Sequence, residues 1–472
     1  MNSKYIYTLA TSLACMMPAA VHATNGMNME GFGPISTSMG GASMAYENGT
    51  AAMMNNPATL GLMEDGESSL NLAVGILAPD VQTDFGSMSV SSGGDQYIMP
   101  AVGWVKKAGQ MAYGVGMFAQ GGMGTEYAAD TFMGAGTGQE ARSEVGVGRL
   151  MAPFAYSVNS QLNIGGSIDY VWGGLDMMMP MAMGPFGTAG QPGTFSDFFG
   201  AQVLGEATVS GTFPTSQVTP GTGSGLAGNL GDAYNIMGYD TVAINFSNSS
   251  DFTQETSGSG YGAKIGFTYA VNPQLTIGGT YHTKTSMDDW TGDASMVMYD
   301  TDGPNPDNEI PGSITVKDFQ WPATIGFGMA YTPDSNWLVV ADIKVLKWSD
   351  VMKNFNLVFE TGGETADITF YQDWEDQNVV SLGAAYKVDS DLTVRFGANL
   401  ASNPVPDDFV HPLFPAIIEN HYTAGLGYAI SKTSNFDASM VYAPEVSQAN
   451  SSTTMDISHS QLNWQLMYTK NF

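Results

Sequence analysis

The densest run of distinctive side chains is Met177, Met178, Met179, Pro180, Met181, Ala182, Met183, Gly184, Pro185 and Phe186. Thioethers are flexible and polarizable, so methionines beside a phenylalanine make an adaptable apolar surface for alkyl or aromatic ligands of varied shape. The same residues could simply pack a loop onto its neighbours, but a solvated loop has little other reason to be so apolar. A second set of residues is charged. Alternation along extended segments puts Arg149, Asp169, Lys264, His282, Lys284, Asp342, Lys344, Arg395 and Asp437 on the inward side. These groups can pair with one another and with Glu30 and Glu47, or Arg149, Lys264 and Lys284 can meet a ligand carboxylate through charge-assisted hydrogen bonds.

Other chemistry finds no support. Hydrolysis would need a Ser–His pair with an orienting third group. Of the five histidines, His282 and His421 have inward parity, but neither has a recognisable Ser partner and no G-x-S-x-G elbow is present. No catalytic residue and no cofactor is therefore expected. The one cysteine, Cys15, precedes the expected mature start, which removes disulfides, thiol nucleophiles and thiolate metal sites from consideration. Asp300, Asp302, Asp307 and Glu309 surround Gly303, yet Pro304 and Pro306 intervene and the spacing is not that of an EF-hand, so a solvated acidic loop is expected and no metal.

The elements that position these residues read as β. Lys4, an apolar run through Met17, and Val21-His22-Ala23 form a secretory leader with an A-x-A-like cleavage site, giving residues 1–23 as signal peptide. Beyond it no apolar stretch approaches the roughly 18–20 residues of a membrane helix. Only 13% of residues are charged, against 58 Gly, 21 Tyr and 23 Phe, a composition of tight turns and alternating faces. With 45 acidic and 15 basic residues the formal charge is −30, which excludes binding to a phosphate backbone and so nucleic acid. Acidic outer loops would suit lipopolysaccharide, with divalent cations bridging carboxylates and lipid phosphates.

Period-2 alternation recurs in about fourteen segments of membrane-crossing length, the first at 68–78 and the last at 457–471. In the fifth, Leu162, Ile164, Ile168, Tyr170 and Trp172 share the lipid parity, and Asn163, Ser167 and Asp169 the other. Trp104, Trp172, Trp321, Trp337 and Trp464 lie near segment ends, as in interfacial girdles. Short turns alternate with long links at about 173–256, 288–316 and 351–374. An all-β, transmembrane antiparallel barrel in residues 68–472 is expected, a monomer in the outer membrane of a Gram-negative bacterium.

Residues 24–67 differ, being rich in Gly, Ala, Ser, Met and Asn without alternation, and are long enough to fill a barrel. They contain Gly40-Gly41-Ala42-Ser43-Met44-Ala45 and Asn55-Asn56-Pro57-Ala58-Thr59-Leu60. Near the C-terminus stand Asn403-Pro404-Val405-Pro406 and Val441-Tyr442-Ala443. On these motifs the chain resembles the FadL/TodX family of outer-membrane long-chain fatty-acid and hydrocarbon transporters, over essentially the whole mature chain. The resemblance implies a barrel closed by an N-terminal hatch, with Gly40, Gly41, Asn56, Pro57 and Ala58 shaping that hatch. It also implies passive passage of a hydrophobic small molecule from outer loops to a pocket beside the hatch, then sideways through a strand kink into the membrane.

Two departures from the family pattern stand out. Gly173-Gly174 occupies the outer end of the fifth strand, where fatty-acid transporters carry a basic residue, which leans the cargo towards neutral compounds. Lys470 stands where the assembly signal ending in Phe472 usually has an apolar residue. A general diffusion porin or a surface adhesin remains the alternative; the first wants an open polar lumen, and the second has no use for an internal hatch.

Overall fold

The computed structural model describes residues 24–182, 207–211, 241–250, 253–299, 308–451, 453 and 455–472. The expected leader, Met183, Phe186 and most of the acidic segment at 300–309 lie outside them.

Four short turns set the hairpins by one device. The side-chain oxygen of Asn159 accepts the amides of Gln161 and Leu162 at 2.8 and 2.9 Å, and Asn272 accepts those of Gln274 and Leu275 at 2.9 Å. Asp334 holds Asn336 and Trp337 at 2.8 and 3.0 Å, and Asp389 holds Asp391 and Leu392 at 2.8 and 2.9 Å. A short polar side chain thus satisfies the two amides that a reversing chain leaves without a ladder partner.

The strands so joined close into a ring. Its members are β1 (Ser68–Leu77), β2 (Tyr97–Ala108), β3 (Met111–Tyr127), β4 (Ala141–Ser157), β5 (Leu162–Ala182), β6 (Thr256–Asn272) and β7 (Leu275–His282). They continue as β8 (Thr324–Tyr331), β9 (Trp337–Leu346), β10 (Gln377–Lys387), β11 (Leu392–Ala401), β12 (Asn420–Ser431), β13 (Ser434–Ala449) and β14 (Met455–Asn471). Each pairs antiparallel with the next, and β1 pairs with β14 from Ser69↔Asn471 to Ile76↔Trp464, so these fourteen form a closed barrel. Closure removes the free edges that a membrane cannot tolerate.

The chain as a whole has more strands than expected, 23 among the described residues. Those outside the ring extend one end of the barrel. Trp290–Tyr299 pairs with Asn308–Lys317, which pairs with Asn354–Thr361. That strand forms a hairpin with Glu364–Tyr371. The fifth strand, expected to stop near Trp172, runs on to Ala182 and is flanked by Thr241–Phe246.

The wall has the expected two faces. Ile164, Ile168, Tyr170 and Phe396 are exposed, whereas Asn163, Ser167, Asp169, Arg395 and Asn399 are buried. Exposed apolar side chains here face lipid, and the inward face is polar because it packs on more protein. Trp172, Trp337 and Trp464 lie on the outer surface. Trp321 does not: it is buried against Trp348, with ring centroids 5.6 Å apart, and Trp348 meets Trp374 at 5.3 Å. Trp321 lies between the strands that end at Lys317 and begin at Thr324, and its Nε1 donates to Asn28 of the hatch at 3.2 Å, so it joins an internal aromatic cluster instead of a girdle.

Inside the ring sits the chain that precedes β1. It folds as α1 (Pro34–Thr37) and two 3-10 turns, Gly49–Met53 and Pro57–Leu62. Met39, Met53 and Ala58 are fully buried. This N-terminal hatch plugs the lumen.

Candidate functional site

The hatch is seated on glycines of the wall. A Cβ at Gly103 would meet Thr50, one at Gly165 would meet Ala58, and one at Gly266 would meet Asn56. Gly278 faces Met44 and Gly383 faces Met39 in the same way. The inward parity of these strands carries glycine where hatch backbone must approach closely. Gly40 has φ of 70° and Gly41 of 75°, and a side chain on Gly40 would strike the carbonyls of Leu382 and Ala398. Both positions therefore need glycine.

Polar groups complete the attachment. Asn56 accepts the Ala58 amide at 3.1 Å and donates to the carbonyls of Met44 and Phe267 at 2.8 and 3.1 Å. The Asn-Pro-Ala turn thus caps its own 3-10 turn and holds β6 at once, with Pro57 as the first residue of that turn. Asp342 accepts the amides of Ser43 and Met44, the latter at 3.2 Å, and Lys344 donates to the Gly41 carbonyl at 2.6 Å. The wall charges thus grip hatch backbone, not hatch carboxylates. Glu47 is turned back on the amide of Gly49 at 2.6 Å. Glu30 is buried, and loss of solvent pushes its carboxyl up to about 8.

The third strand breaks the regularity of the wall. Its pairing with β2 ends at Ala101↔Phe118, and its register with β4 shifts between Ala119 and Gly121. Beyond that bulge the strand pairs with the hatch. Gly122 donates to the Met27 carbonyl at 3.1 Å, Met29 donates to the Gln120 carbonyl at 3.5 Å, and Asn28 bridges Gly121. Between the outer part of β2 and this bent strand lies a cavity of about 300 Å³, lined by Ile98, Pro100, Met117, Gly122, Val145 and Trp172 among others. Ile98, Met117 and Trp172 are also exposed on the lipid face.

Two smaller cavities lead outward from it. The first, of about 20 Å³, is lined by Met27, Met123, Val145, Phe319, Phe355 and Phe414 and shares Met123 and Val145 with the large cavity. The second, of about 10 Å³, is lined by Met177, Met179, Phe355, Phe370, His411 and Phe414, and Gln372 borders both small ones. Met177 and Met179 are buried on one face of β5, with Met178 buried on the other. Met181 belongs to the same strand, opposite Val242. From Met177 to Met181 the methionine run is thus strand, and Met177 and Met179 line an aromatic cavity.

His411 supplies one of the few polar groups there. Its Nδ1 accepts the Leu413 amide at 3.0 Å, and burial pulls its pKa down to about 3, so the ring is neutral. Sequence reasoning missed His411, Phe355 and Phe414. The signal was the apolar run from Val410 to Ile418, unusual in a connection between strands and almost wholly buried.

Arg149 and Lys264 do face inward, but they share one partner. Arg149 donates to Asp169 at 2.9 Å, and Lys264 is ion-paired to the same carboxylate. Lys284 does not join them. The strand before it ends at His282, the alternation is lost, and its side chain is exposed. His282 Nε2 lies 2.8 Å from the Asn55 carbonyl, another tie to the hatch.

The comparisons with known proteins agree with this architecture. A 62-residue stretch is 52% identical to an uncharacterized protein of Chlorobium limicola encoded in the 5′ region of a phosphoenolpyruvate carboxykinase gene, spanning 13% of this chain and 30% of that protein's length. Over 94% of this chain and 99% of the other, the structure is similar to the toluene transporter TodX of Pseudomonas putida, with TM-score 0.77 and 29% identity. The toluene transporter TbuX of Ralstonia pickettii matches over 94% and 99% of the two chains, with TM-score 0.72 and 29% identity. A Pseudomonas aeruginosa FadL homologue, 13% identical, has the same fold at TM-score 0.66 over 95% and 99% of the chains. The model of the outer membrane protein transport family (OMPP1/FadL/TodX) matches residues 10–470, and the chain belongs to that family.

Proposed function

We propose that this protein admits small neutral hydrophobic compounds, monoaromatic hydrocarbons foremost, across the outer membrane by passive diffusion. The observation that carries this reading is the succession of three cavities that share lining residues, from Met177 and Met179 to the gap beside β3. Cargo would enter among the methionines, pass Phe355, Phe414 and Met27, and leave sideways into the membrane. The hatch, residues 24–67, blocks the straight path and directs the cargo to the wall.

The chemistry of the lining supports the class of cargo. No Lys or Arg lines these three cavities among the described residues, so a fatty-acid carboxylate would be buried without a charged partner. Aromatic rings close the path, with Phe319 and Phe355 at 6.2 Å and Phe355 and Phe414 at 5.9 Å between centroids, a setting that favours offset or edge contacts with an aromatic guest. The similar toluene transporters support the same choice. The protein would act as a monomer, with its acidic outer loops beside lipopolysaccharide.

The test is uptake by cells that depend on this protein, given radiolabelled toluene and, separately, oleate. Faster toluene entry with no gain for oleate is the expected outcome. Oleate uptake alone would overturn the proposed cargo and restore the fatty acid.

A further inference from the structure

The bent segment of β3 poses a physical problem. Between Tyr97 and Pro100 the β2 backbone has its β1 partner, but no pairing with β3 on the other side. Unpaired amides and carbonyls at membrane depth cost several kcal/mol each, so a straightened β3 would close over them unless something held it away. The hatch supplies part of the hold by pairing with Gln120–Gly122 through backbone atoms. A second hold runs through side chains.

Gln120 is buried at the bulge. Its Oε1 accepts from Arg149 Nε, and its Nε2 donates to Asn28 Oδ1 of the hatch at 2.9 Å. Asn28 Oδ1 also accepts from Trp321 Nε1 at 3.2 Å. Arg149 reaches on to Asp169, which is fixed by Lys264 and by the hydroxyl of Ser167. Arg149, Asp169 and Lys264 stand on β4, β5 and β6, so three successive wall strands are tied to one glutamine on the strand that bends. All three charged residues are buried and already engaged, so the cluster can hold a fixed geometry.

We infer that Gln120 is a positioning residue, braced by Arg149, Asp169 and Lys264, that keeps β3 bent inward and so keeps the lateral gap open. This rests on the lateral route proposed above. The charges act on the wall, and the cargo meets only the apolar surface that they hold apart.

Gln120→Leu tests the brace with little change of volume, and Gln120→Glu retains an acceptor for Arg149. Three readings separate the possible failures: heat-modifiable migration for folding, toluene binding to purified protein, and cellular uptake. Hydrogen exchange of the 97–101 backbone gives a fourth that needs no cargo. In Gln120→Leu, migration should be unchanged, exchange over 97–101 should slow as β2 and β3 zip together, and binding and uptake should both fall, uptake about tenfold, the worth of one hydrogen bond to a charged group. Gln120→Glu should keep most uptake.

Wild-type uptake and wild-type exchange in Gln120→Leu would overturn the brace. Loss of binding and uptake with wild-type exchange over 97–101 would also overturn it, by assigning Gln120 to the ligand pocket. If the wild-type protein carries no toluene, the proposed cargo fails, and the exchange measurement alone still decides the brace.

Discussion

Lys344 donates its ammonium to the carbonyl oxygen of Gly41 at 2.6 Å, joining the inward face of β9 to a glycine whose φ is 75° and whose Cβ position is blocked by the carbonyl of Glu30. Nearby on the same strand, Asp342 receives the amides of Ser43 and Met44. A cation and an anion, two residues apart, thus grip a carbonyl and two amides of the same loop.

Asp342→Ala leaves those two buried amides without partners. The expected loss is about 2–4 kcal/mol of hatch attachment, on the scale of one or two unmade buried hydrogen bonds. The barrel ladders are untouched, so the variant should insert normally yet conduct ions more readily in a planar bilayer. Conductance equal to wild type would show that the grip does not seat the hatch.

Gly397→Val fills a seat on the wall, because a Cβ there would meet Met39 and Gly40. Overpacking of this kind costs about 1–3 kcal/mol. Gly93→Ala is a suitable comparison, as a Cβ there would meet only the Glu126 carbonyl oxygen at 3.6 Å, an ordinary contact. Limited proteolysis should cut the hatch of Gly397→Val sooner and leave that of Gly93→Ala as in wild type.

Met177→Ser with Met179→Ser strips apolar surface from the outermost chamber, and each Å² that the cargo can no longer cover weakens its binding by about 25 cal/mol. Toluene uptake should fall, while Lys284→Gln, at an exposed position, should leave it unchanged. A fall with Lys284→Gln and none with the methionine pair would return the site to carboxylate recognition.

Two buried groups give opposite slopes with pH. His411 is held neutral down to about 3 from an ordinary 6.5, so the unfolded chain binds its proton first and the stability of the 402–419 connection falls as pH drops from about 6.5 towards 3. Glu30 stays protonated up to about 8 from an ordinary 4.5, so hatch stability falls as pH rises across that interval. Proteolysis rates measured from about pH 4 to 9 should show both trends, with His411→Phe flattening the acid limb and Glu30→Gln the alkaline one.

Much of the barrel was legible in the sequence because a strand that faces lipid on one side and packed protein on the other must alternate. Ile164, Ile168 and Tyr170 against Asn163, Ser167 and Asp169 express that rule directly. The hatch was legible for the converse reason, its motifs lying in a stretch with no alternation. The outer strands were not. Asn354–Thr361 and Glu364–Tyr371 alternate too, with Phe355, Leu357 and Phe359 buried, but they are short and sit where a long loop is expected. Lys284 and Trp321 escaped because parity extrapolates only while a strand continues, and both lie past a strand end. Arg149 and Lys264 had the right direction, but no one-dimensional pattern reveals that they share Asp169.

The glycine seats bear on the order in which the molecule is assembled. The seam between β1 and β14 joins residues as distant in sequence as Ser69 and Asn471, and pairings of such separation close late in folding. Thr50, Met39, Met44, Asn56 and Ala58 occupy recesses on five different strands, a fit that depends on the ring around them. The N-terminal segment is therefore expected to serve as a mandrel, held in place while the last hairpin completes the circle. Pulse-labelled assembly should then find the hatch protected from protease no later than the seam, and a closed ring with an accessible hatch would exclude that sequence of events.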